Sequence, residues 1–92
     1  MTTSAARPST SPAPEYPVHR SVVAHVTGGL DGVLRVATVL RGRRYRVRDL
    51  AVDIREGVVV SEVRATVLLT ASETTLLLER LRRLASVTSA DG

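Results

Sequence analysis

Residues 21–40, SVVAHVTGGLDGVLRVATVL, carry the passage from strand to helix on which the fold turns. Over 21–27 small and β-branched residues alternate: Val22, Ala24 and Val26 take one face, Val23 and His25 the other, as in a strand whose second face is not wholly polar. Gly28, Gly29 and Gly32 interrupt it. Val33, Val36, Ala37 and Leu40 then recur at i, i+3, i+4 and i+7, the spacing of an amphipathic helix, which Gly42 is expected to close. Asp31 near its start suits the positive end of the helix dipole.

The downstream sequence alternates again, with a slip. In 44–55, Tyr45 and Val47 share one phase while Leu50, Val52 and Ile54 share the other, so a bulge near Arg48 and Asp49 is needed to keep one apolar face. A turn is expected at Glu56 and Gly57. Val63, Ala65, Val67 and Leu69 then alternate with Glu62, Arg64, Thr66 and Leu68 as a third strand, antiparallel to the second. Thr70 followed by Glu73 is a capping box, and the spacing predicts a helix over 71–84 that buries Leu77, Leu78, Leu81 and Leu84 and shows Arg80, Arg82 and Arg83 to solvent. Residues 85–89 read as a short weak strand. The order βαββαβ predicts an α+β, ferredoxin-like fold: an antiparallel four-stranded sheet with two helices on one face.

Composition bounds the rest. Residues 1–18 are Ser, Thr, Ala and Pro with little to bury and are expected to form a disordered tail, leaving 19–89 as the folded domain and 90–92 as a flexible carboxyl end. With 92 residues there is room for a single core, close to the size at which self-association helps. The absence of cysteine excludes disulfides, thiol chemistry and Cys-ligated zinc, and fits a cytoplasmic setting. No apolar run approaches the roughly 20 residues of a membrane span, and the amino terminus lacks the build of a secretory signal.

No catalytic constellation can be assembled. His19 and His25 share a strand face but stand ~20 Å apart at ~3.3 Å per residue, so they hold no common metal. Asp49 and Asp53 share a strand face, but neither has an apolar pocket in sequence that would raise its pKa, and no nucleophile elbow occurs. Thirteen basic residues stand against 9 acidic ones for a net charge of +4, and every basic residue is arginine. Five of these arginines fall in Arg41 to Asp49, RGRRYRVRD. RNA-recognition domains share the βαββαβ order, but they stack bases on strand aromatics, and the folded region here has only Tyr45. The chain therefore reads as non-catalytic, without metal or membrane contact, and a nucleic-acid partner is disfavoured.

The segment from His19 through Val52 resembles an ACT domain, the small regulatory module of amino-acid metabolism, and most nearly the small subunit of acetolactate synthase in its short, valine-insensitive form. Where the family has P-G-V-L-x-R-V, this sequence has Asp31-Gly32-Val33-Leu34-Arg35-Val36. Where the family has G-F-N-I-x-S-L-x-V, it has Arg44-Tyr45-Arg46-Val47-Arg48-Asp49-Leu50-Ala51-Val52, with the same phase slip, and Leu81-Arg82-Arg83-Leu84-Ala85-Ser86-Val87 is similar to the closing Q-L-x-K-L-x-D-V.

The resemblance implies a homodimer that docks on the large catalytic subunit of acetolactate synthase and activates or stabilises it in branched-chain amino-acid biosynthesis. Thiamine diphosphate, magnesium and FAD would belong to that partner, and this chain would hold no cofactor. The resemblance also implies an amino-acid site at the dimer interface, formed by Gly29, Leu30, Asp31, Gly32, Val33, Leu34, Arg46 and Val47. Arg46 replaces the family asparagine and Asp31 its proline, which removes an amide donor and acceptor from that site. The alternatives are a stand-alone ACT-type sensor acting on another enzyme and an arginine-rich RNA-binding module.

Overall fold

The computed structural model describes residues 16–55 and 60–92. Its elements run β1 (Val18–Val26), α1 (Leu30–Gly42), β2 (Arg46–Asp53), β3 (Ser61–Leu69), α2 (Ala71–Arg82) and β4 (Val87–Asp91). The strands form one antiparallel sheet in the order β2-β3-β1-β4, so the fold is the expected ferredoxin-like α+β arrangement. Val22, Ala24 and Val26 of β1 lie beside Val63, Ala65, Val67 and Leu69 of β3 on the buried face. Val33, Val36 and Leu40 of α1 and Leu77 and Leu81 of α2 pack onto that face. Among the described residues the opposite face carries no helix.

Each turn of the chain has a local cause. Gly28 and Gly29 take φ of 83° and 58°, a left-handed path that turns the chain from β1 into α1 and that side chains disfavour. Gly32 is needed for another reason: a Cβ there would collide with the Thr27 carbonyl oxygen and lie 3.1 Å from Val26 Cβ, so the first turn of α1 could not rest on the end of β1. The slip in β2 is a bulge. Val47 pairs with Val67 and Asp49 with Thr66, leaving Arg48 as the extra residue and keeping Val47, Leu50 and Val52 on the helix side. Thr70 caps α2: Glu73 N–H donates to its hydroxyl at 3.1 Å, and its own N–H donates to the Glu73 carboxylate at 2.9 Å.

Several expectations are corrected. α1 ends at Gly42 as expected, but Gly42 is not the left-handed cap: Arg44, two residues on, takes that position with φ of 57°. Arg44 N–H donates to Arg41 O at 3.0 Å and Tyr45 N–H to Leu40 O at 3.1 Å, the two bonds of a Schellman motif, with an arginine where glycine is the usual occupant. β2 begins two residues after Arg44, so the left-handed residue is set by where Tyr45 must turn back to pack beside Leu40. Residues 1–15 and the turn at Glu56 and Gly57 lie outside the described residues. Val18 opens β1, and the last pair of the β2–β3 ladder is Asp53 with Glu62, so that connection is longer than a tight turn.

β4 extends past Ser89 because Ala90 fills the core opposite Ala24, only 1% exposed, and Arg82 donates from Nε and Nη2 to the Ala90 carbonyl at 3.0 and 2.6 Å. Helix α2 stops at Arg82, with Leu77 and Leu81 buried and Leu78 and Leu84 partly so. Arg80 is not turned to solvent: it is half-buried, and its Nη1 donates to the Tyr45 hydroxyl at 2.7 Å.

Candidate functional site

The eight residues of the expected amino-acid site fall into two groups. Gly29 through Leu34 form the loop and first turn of α1 at the carboxyl end of β1, beside the carboxyl end of β2, where Ile54 lies 4.0 Å from the position of a Gly29 Cβ. Gly32 and Val33 are buried and serve the packing of that turn, while Leu30, Asp31 and Leu34 are exposed. Arg46 and Val47 open β2 at the other end of the sheet, opposite Leu68 and Val67. Helix α1 runs the distance between the two groups, about 20 Å at ~1.5 Å per residue. One chain does not bring them together.

Between the groups lies an uncovered surface. β2 is a sheet edge, paired only with β3, and every residue of it is exposed. Yet Val47, Leu50, Val52 and the following Ile54 are apolar, 39–45% exposed. The three within β2 oppose the buried Val67, Ala65 and Val63. Helix α2 sits over β1 and β4 and α1 over β3, so the core face runs out from under the helices at β2. Ala37, Leu40 and Arg41 of α1 and Tyr45, Val47 and Leu50 line a shallow groove of about 170 Å³ there. By helical spacing Leu30 and Leu34, 55% and 52% exposed, continue the α1 side of the same surface.

On the helix-free face, His25 joins three strands. Its Nδ1 lies 3.0 Å from Ser89 Oγ on β4 and its Nε2 lies 3.4 Å from Glu62 Oε1 on β3, while Arg64 Nε donates to Glu62 Oε2 at 2.6 Å. The Arg64 guanidinium holds the Glu62 carboxyl below its ordinary range, with His25 adding in the same direction. The serine, imidazole and carboxylate sit in cross-strand register positions, with His25 paired to Ser89 and to Glu62, as strand-locking contacts do. Sequence spacing could not reveal this chain of contacts, because it depends on the register of two ladders. Asp49 and Asp53 share the helix-free face as expected, and Asp53 accepts from Arg55 Nε at 3.2 Å.

The arginine run ends up at one corner. Arg43, Arg44 and Arg46 line a cleft of about 430 Å³ with Pro17, Tyr45, Leu68, Thr70 and Glu73, at the end of the sheet remote from the glycine loop. Among the described residues no group of three or more His, Cys, Asp or Glu side chains could hold a metal ion, and no helix is long and apolar enough to cross a membrane. No protein-family model, curated protein or solved structure matches the chain.

Proposed function

We propose that the chain is a non-catalytic regulatory module of the ACT type that works as a homodimer, its partner the large subunit of a thiamine-diphosphate-dependent acetolactate synthase. One observation carries the reading: the two halves of the amino-acid site lie at opposite ends of β2, and β2 is an unpaired apolar edge. Antiparallel pairing of β2 with a second copy about a twofold axis sets the start of one β2 alongside the end of the other. Arg46 and Val47 of one copy are then brought nearer the glycine loop of its mate than they lie to their own, so the site draws on both copies.

Charge chooses the register. With Val52 opposite its own copy, Leu50 meets Ile54 on the helix side, and on the other side Asp49 meets Arg55 twice by symmetry. Centring one residue earlier, on Ala51, would set Asp49 against Asp53 twice, a like-charge pairing. The sheet becomes eight-stranded, and a long edge that would otherwise invite aggregation is closed.

The dimer then regulates by docking: it shifts its catalytic partner toward whichever conformation it binds better. Thiamine diphosphate, magnesium and flavin are held by that partner. The helix-free face offers no aromatic for base stacking, which disfavours the RNA-binding alternative. Co-purification of the tagged chain with a thiamine-dependent synthase, and synthase activity that rises when the chain is added back, are the expected results. Thermal unfolding with valine, leucine and isoleucine tests the site, since a specific ligand must stabilise the dimer. A chain that stabilises with one of these amino acids but never recovers a synthase would be a stand-alone sensor. A chain that does neither refutes the proposal.

A further inference from the structure

We infer that the arginine corner is a binding site for a small phosphorylated anion, with two or three adjacent negative charges as in a diphosphate group. It shares Arg46 with the proposed amino-acid site but does not rest on the regulatory reading above. The cleft is built where four elements meet: Arg43, Arg44 and Tyr45 join α1 to β2, Arg46 opens β2, Leu68 lies near the end of β3, and Thr70 and Glu73 lie at the cap and in the first turn of α2. Its volume of about 430 Å³ lies in the range of small-molecule sites.

Charge is concentrated there without compensation. Arg43, Arg44 and Arg46 have no ion-pair partner among the described residues, whereas Asp53, Glu62 and Asp91 are each engaged by another arginine. Glu73, the one carboxylate among the described residues that line the cleft, is committed through Oε1 to the Thr70 N–H of the capping box. Arg80 adds a further guanidinium behind the wall, where its bond to the Tyr45 hydroxyl fixes that ring. Against the single Glu73 carboxylate, three arginines leave an excess positive charge that a multiply charged anion would balance.

The backbone points the same way. Arg44 is the one described residue other than glycine with positive φ, held at 57° in a position glycine would occupy without strain. Set by the Schellman ending of α1, that conformation holds Arg44 in the lining of the cleft. Guanidinium groups suit phosphoryl oxygens because they donate in planar, paired fashion. Pro17, Leu68 and the Tyr45 ring give the cleft an apolar side for the body of the molecule.

The test uses the full chain and inorganic diphosphate, by calorimetric titration and thermal unfolding at constant ionic strength. One diphosphate per chain should bind saturably, at least tenfold more tightly than monophosphate. Arg43→Gln with Arg46→Gln should weaken binding tenfold or more, and Arg35→Gln, on the exposed side of α1, should leave it unchanged. Arg44→Gly separates binding from folding: relief of the positive φ should raise the unfolding temperature while diphosphate affinity falls at least fivefold. Four results overturn the inference: binding that does not saturate, equal loss in Arg35→Gln, unchanged affinity in Arg44→Gly, or saturable binding of an acidic peptide or oligoribonucleotide where diphosphate has none.

Discussion

Replacing Val52 by lysine sets the β2 pairing against a charge at its centre. In the single chain Val52 is 40% exposed at a sheet edge. A lysine stem can follow the same surface with its ammonium in water, so folding should lose less than about 1 kcal/mol. In the dimer two ammonium groups oppose each other across the twofold axis, with Cβ atoms roughly 5 Å apart. At a charge separation of about 6 Å the repulsion is about 0.7 kcal/mol in a water-like dielectric and about 3 kcal/mol at an effective value of 20. Lost burial of the exposed part of valine in both copies adds about 1–2 kcal/mol. The dimer should therefore weaken by about 2–5 kcal/mol, roughly 30-fold to several thousand-fold in Kd.

Sedimentation equilibrium from low micromolar to 100 micromolar concentration on the order of typical dimer affinities, with circular dichroism to verify folding, reads this directly. Asp49→Arg alone should also weaken association, and Asp49→Arg with Arg55→Asp should restore it. The reasoning fails if Val52→Lys associates as tightly as the parent, or if the parent is a monomer throughout.

Other expectations concern the fold that presents this edge. Gly32→Ala drives a methyl group into the Thr27 carbonyl and should cost more than about 2 kcal/mol in urea unfolding. Gly42→Ala, with nothing within 4 Å of the new Cβ, should instead gain about 0.5–1 kcal/mol. Thr70→Ala removes the hydroxyl that receives Glu73 N–H and should cost about 1 kcal/mol by thermal unfolding. Glu62 has a lowered carboxyl pKa in the fold, chiefly through Arg64. Its contribution should be fully present above the unfolded value, roughly pH 4.3, and lost as pH falls through the lower folded value. A pH series of unfolding midpoints should show Glu62→Gln less stable than the parent at neutral pH and level with it in acid.

The sequence disclosed whatever depended on neighbours along the chain. The bulge at Arg48 followed from the phase change between Val47 and Leu50, and the capping box from the spacing of Thr70 and Glu73. Contacts made in three dimensions were hidden. Nothing local marks Ala90 as core; it is buried because β4 pairs with β1 at Ala24. Glycine at position 42 suggested the helix stop, whereas the return of Tyr45 toward Leu40 puts the left-handed residue at Arg44. Arg80 looked like a solvated residue until the Tyr45 hydroxyl, 35 positions away, took its hydrogen bond. That the residues expected to bind an amino acid divide between two ends of β2 also required the sheet order, since they look contiguous when only their motifs are compared.

Because the chain contains no cysteine, one introduced thiol reports on one position. Val52→Cys would face its own copy across the twofold axis, at a separation compatible with a cross-strand disulfide. Val23→Cys would sit on the helix-free face of β1, opposite Arg64 and Asp91, away from that axis. Under mild oxidation at low protein concentration, Val52→Cys should convert rapidly to a covalent dimer that keeps its fold, and Val23→Cys should not. Equal slow rates for the two variants would mean that β2 meets no second copy, and the account of a site completed by pairing would be wrong.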